Sequence, residues 1–86
     1  MVSKSTIISE IDHRVNNVKT PDYSAWTIGV TDQPTTRKQQ HDDPKHWMQW
    51  NADSEQDARN IESHFIDKGM KGGSGGGGNA DWVYIF

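Results

Sequence analysis

Arg37, His41 and Glu62 are the residues whose types and spacing point most directly to chemistry. Arg37 and His41 lie four apart, so on a helix they share one face. An arginine there offers a planar fork that matches a phosphate. Glu62 falls within an apolar stripe made by Ala58, Ile61, Phe65 and Ile66. A carboxylate on the core face of a helix is costly unless it is paired, protonated or bound to a cation. Two readings follow: an edge residue that reaches water or pairs with Arg37, or a metal ligand. The run His41-Asp42-Asp43-Pro44-Lys45-His46 also holds metal-binding residue types. Its spacing fits no zinc pattern and Pro44 breaks the helix that would align it, so it reads as an exposed polar turn.

The elements that must position these residues follow from local pattern. A strand over Tyr23–Thr31 stops at Asp32–Pro34, and a helix over 33–41 carries Arg37 and His41. Asp32 or Gln33 can cap that helix, and Pro34 suits its first turn. Upstream, Ile7, Ile11, Val15 and Val18 form one apolar stripe of a helix over 5–18, with Ser5 as cap and Thr20-Pro21-Asp22 as stop. His13 and Arg14 then fall on its solvated face. Gly29 interrupts its strand, which predicts a packing notch under a tryptophan or a close backbone approach. Trp47–Trp50 alternates as a second, half-buried strand would. Ser54 opens a helix over 54–68, closed by Gly69 with Met70 as its apolar companion. The glycine-rich run 72–78 reads as a mobile connector. Residues 81–86 supply a third strand, with Trp82, Tyr84 and Phe86 on one face and Val83 and Ile85 on the other. The expected fold is α+β, a small single domain with a three-stranded, mainly antiparallel sheet and about three helices.

Bulk composition narrows the function classes. Eighty-six residues make one domain that buries only about 60–65% of its unfolded surface. The absence of cysteine excludes disulfides and thiolate metal sites. No apolar run approaches the ~18 residues of a membrane span, so a cytoplasmic chain is expected, with no membrane partner. Nine basic and twelve acidic residues give a net charge of −3. That balance argues against strong unspecific DNA binding, although Arg37, Lys38 and Lys45 form a local basic group.

The order Thr27-Ile28-Gly29-Val30-Thr31, then Arg37 and His41, then Ala58 and Glu62, then Asn79, resembles the GIY-YIG nuclease signature over roughly residues 25–79. In that family a "Tyr-Ile-Gly-x-Thr" strand precedes a helix with an arginine and often a histidine, and an "Ala-x-x-x-Glu" helix follows. Thr27 stands where the family's second tyrosine would be, and a helix replaces the opening "Gly-Ile-Tyr" strand. The resemblance implies that Arg37 stabilises a phosphoryl transition state, with His41 beside it. It implies that Glu62 holds Mg2+ or Mn2+, and that Gly29, Lys38 and Asn79 meet the substrate, a nucleic acid or nucleotide. The family's first strand would leave a vacant place beside the Ile-Gly strand. The C-terminal strand is the one β-rich segment left to fill it, which would bring Tyr84 in as a replacement tyrosine. Three function classes are compatible with these residues: a metal-dependent nuclease or phosphodiesterase, a catalytically silent module that binds a nucleic acid or nucleotide, and a small interaction protein. The last would assemble through its exposed C-terminal strand and tryptophans, with a homo-oligomer among the partners open to it.

Overall fold

The computed structural model describes residues 1–72 and 80–86. The connector expected at 72–78 therefore falls, apart from Gly72, outside the described residues, as does the ligand contact expected of Asn79. Helix α1 (Lys4–Asn16) is capped by Ser3, not Ser5: the Ser3 hydroxyl accepts the Thr6 N–H at 3.3 Å. It ends before Val18, because Asn16 turns back to donate to the Asp12 carbonyl at 2.7 Å. Val18 is accordingly 44% exposed and takes no part in the core. A single 3-10 turn at Tyr23–Ala25, capped by Asp22, replaces the expected start of the first strand. Strand β1 (Thr27–Thr31) follows, and the Thr31 hydroxyl accepts the Gln33 N–H at 3.0 Å to turn the chain into helix α2 (Pro34–Gln40). Pro34 occupies its first turn as expected, while neither Asp32 nor Gln33 caps it through a side chain.

Strand β2 (Met48–Asn51) leads to helix α3 (Glu55–Asp67), where Ser54 accepts the Asp57 N–H at 3.1 Å. Ala58, Ile61 and Phe65 face the core; Ile66 lies one position off that stripe and is exposed. Gly69 adopts a φ of 118°, which L side chains resist, and lets Met70 N–H reach the Phe65 carbonyl at 3.0 Å. Two short segments complete the sheet: β3 (Lys71–Gly72) and β4 (Trp82–Ile85).

The sheet has four strands in the order β2-β4-β1-β3, one more than expected. The addition is β3, which pairs in parallel with β1 and takes Gly72 into a strand. β4 runs antiparallel to both of its neighbours, with Gly29 opposite Tyr84 and Tyr84 opposite Gln49. The C-terminal strand thus fills the place beside the Ile-Gly strand. Both of its edges are paired, so it offers no free row of N–H and C=O groups on which a second copy can assemble.

Alternation along these registers sorts the sheet into two faces. Ile28, Val30, Val83, Ile85, Met48 and Trp50 face α1 and α3 and join Ile7, Ile11, Val15, Ala58, Ile61 and Phe65 in one apolar core. Asp12 binds the two helices together, accepting from Tyr23 at 2.6 Å and from Lys68 at 3.1 Å. Gly29, Thr31, Gln49, Trp82 and Tyr84 belong to the opposite face. No helix among the described residues is long and apolar enough to cross a membrane.

Candidate functional site

The second face of the sheet is organised by Tyr84, whose ring lies across Gly29. A Cβ at Gly29 would overlap the Tyr84 hydroxyl and ring. The notch is therefore neither under a tryptophan nor open to a ligand backbone; it is filled by tyrosine. Tyr84 is fully buried. His41, at the end of α2, brings its Nε2 to 3.3 Å from the Tyr84 hydroxyl. Trp47 stacks on the Tyr84 ring, centroids 4.4 Å apart and planes inclined by 10°. Phe86 extends the array, with its ring 5.7 Å from Trp47 and 4.7 Å from His41.

Charges of both signs act on this hydroxyl. Burial raises the Tyr84 pKa; the Arg37 guanidinium works against that, and the Glu62 carboxylate adds to it. His41 is the residue in direct contact with this hydroxyl; Arg37 and Glu62 act on it through their charge alone. Arg37 and Glu62 do not form an ion pair: the two ion pairs among the described residues are Arg59–Glu55 and Lys68–Asp12. Burial also raises the Glu62 pKa, and nearby Arg59 offsets this in part. Lys38 sits half-buried on α2, beside Arg37 in sequence.

The turn after α2 is closed by backbone hydrogen bonds. Asp42 and Asp43 take φ values of 64° and 48°, a left-handed conformation that Asp tolerates better than most residues. Their N–H groups donate to the Gln39 and Lys38 carbonyls at 3.1 and 3.0 Å, which satisfies the end of the helix. Both side chains are exposed, as expected of a polar turn. Among the described residues no three His, Asp or Glu side chains gather into a preformed cage. Magnesium and manganese need less than that. Mg2+ typically takes one or two carboxylates and completes its shell with water and phosphate oxygens. Glu62, half-buried and outside both ion pairs, is a donor of that kind.

Trp47 and Phe86 are the members of this array that sequence reasoning missed as site residues. Trp47 alternates with Met48 and Trp50 as though it began the strand, yet it precedes β2 and packs over Tyr84. Its indole N–H donates to Gln49 at 2.8 Å, which fixes the ring over the sheet. Phe86 was expected on the Tyr84 face and lies there, but nothing local announced its contact with His41.

No family model, curated protein or solved structure matches the chain.

Proposed function

We propose that the chain is a divergent GIY-YIG-like domain that acts on a phosphodiester of a nucleic acid or nucleotide. The observation that supports this reading is the buried Tyr84 hydroxyl held 3.3 Å from His41 Nε2, with the charges of Arg37 and Glu62 acting on it. A phosphodiester is cleaved when water attacks phosphorus and the departing oxygen takes up a proton. Charge builds on the phosphoryl oxygens in between, and fixed cationic donors stabilise it. Arg37 is the donor suited to that task, because its fork can meet two oxygens at once. His41 Nε2 can take the Tyr84 proton only as the Tyr84 oxygen accepts one from the attacking water, and the imidazolium can then give its proton to the departing oxygen. Glu62 would hold a magnesium or manganese ion, which supplies Lewis acidity to the phosphoryl group.

A second reading has its own observation. Tyr84 has no exposed surface and Trp47 covers its ring, so its hydroxyl meets a substrate only after His41 or Trp47 moves. If that movement does not occur, the same residues make a binding module without turnover. Incubation of the full chain with labelled single- and double-stranded DNA, with and without Mg2+ or Mn2+, separates the two. Hydrolysis predicts metal-dependent products that Arg37→Lys, Glu62→Gln and Tyr84→Phe each reduce by about 100-fold or more. Binding that persists without products in either metal selects the silent module.

A further inference from the structure

Arg14 forms a common wall of two clefts, of about 470 and 370 Å3. It was expected on a solvated helix face, but it is half-buried, with its Nε fully covered and without a protein partner. Its guanidinium lies 5.6 Å from the centre of the Trp26 ring. Its Nη2 is 3.3 Å from His46 Nδ1. A guanidinium has donors only, so His46 Nδ1 must accept, which puts the imidazole proton on Nε2 as a further donor. Arg14 belongs to neither ion pair found among the described residues. A covered donor without a partner is costly in a folded chain, and a guanidinium is relieved best by an anion.

The smaller cleft adds flat apolar surface to this cation. Trp26, Phe86 and Val18 line it together with Arg14 and His46. Phe86 is also the outer ring of the Tyr84–Trp47–Phe86 stack. Phe86 therefore borders both the candidate site and the Arg14 cleft. Rings in sequence beside an arginine are what an unpaired strand of bases requires, since each base has a face to stack and each linkage a charge to neutralise. A duplex keeps its base faces occupied, and a peptide carboxylate has no ring to stack.

We propose that the Arg14–Trp26–Phe86 cleft binds single-stranded nucleic acid next to the candidate site, with bases stacked on Trp26 and Phe86 and a phosphate held by Arg14 and His46. The choice of ligand rests on the phosphodiester reading, but the site is read out by binding alone. The net charge of −3 keeps the general attraction for polyanions low, so stacking dominates and salt dependence is shallow.

The test is anisotropy of a labelled eight-nucleotide oligothymidylate with the full chain in EDTA, where no metal-dependent cleavage proceeds. The expected result is binding that a duplex of equal length and hexaglutamate do not match. Trp26→Leu and Arg14→Lys should each weaken it about five- to 150-fold. Arg14→Lys keeps the charge and the apolar stem, and circular dichroism checks that both variants fold. Absence of binding, equal binding of the duplex or of hexaglutamate, or wild-type affinity in both folded variants would overturn the proposal. Oligothymidylate binding by a chain that cleaves nothing sustains this cleft and removes only the hydrolytic reading. Cleavage of duplex DNA without affinity for the single strand does the reverse.

Discussion

The two faces of the sheet are built on different principles. One is closed by α1 and α3, each of 13 residues, through aliphatic side chains and Phe65 that are fully buried. The other has the seven-residue α2 and a set of rings, with a glycine where the first face has isoleucine and valine. Aliphatic packing is non-directional and close to saturated, so it stores stability. The ring face carries a buried hydroxyl in contact with an imidazole, with the Arg37 guanidinium near enough to act on that hydroxyl. The lesson is a division of labour across one sheet: the first face supplies most of the stability, and the second carries the polar and aromatic contacts of the candidate site.

Removing the strand that belongs to both faces should break the comparison outright. Deletion of residues 82–86 leaves β1 and β2 with no common partner, and the expected result is an unfolded or aggregated chain by circular dichroism and sedimentation. A truncated chain that stayed folded and monomeric would mean that the two faces do not depend on β4. A smaller effect is expected from the aliphatic face alone. Ile61→Ala should cost about 2–5 kcal/mol in denaturant unfolding, because it opens a cavity between α3 and the sheet.

On the ring face, Gly29→Ala should cost about 1–3 kcal/mol by overpacking against Tyr84. The sharper form is a double-mutant cycle: in a Tyr84→Ala background the same substitution should cost almost nothing. Equal costs in both backgrounds would show that the glycine serves the backbone and not the ring. The smallest effect concerns Glu62. Burial holds its pKa above the ordinary 4.5, so just above that value the folded chain keeps a proton that the unfolded chain has lost. Stability then falls as pH rises through this window. Glu62→Gln should match the parent below the ordinary carboxylate range and exceed it in stability at neutral pH. A variant less stable at neutral pH would reveal a pairing of the carboxylate that offsets its burial.

The sequence made the aliphatic face legible because helix and strand periodicities are local. The spacing of Ile7, Ile11 and Val15, and of Ala58, Ile61 and Phe65, was enough to name their stripe. The alternation of residues 82–86 also assigned Tyr84 to the correct side, and the lack of any other β-rich segment assigned β4 to β1. Contacts made between elements left no such trace. Arg14 follows Ile11 by three positions and reads as a surface residue until Trp26 and His46 arrive beside it from distant parts of the chain. Trp47 obeys the alternation of a strand that it does not join. The helix ends were displaced for a related reason: Ser3 in place of Ser5, and Asn16 in place of Val18, are decided by side-chain hydrogen bonds that periodicity does not encode.

The place of β4 between β1 and β2 bears on how the chain acquires its shape. Ile28 must wait for Ile85, and Trp50 for Val83, before either strand has the neighbour it needs. β2 has no strand partner until β4 arrives, although it is made well before it. Closing such distant pairs costs chain entropy before any ladder repays it, which slows folding relative to a sheet of successive hairpins. During that interval the helices can already form while β1 and β2 remain open edges, and it is in this partly assembled state that the chain is most exposed to self-association.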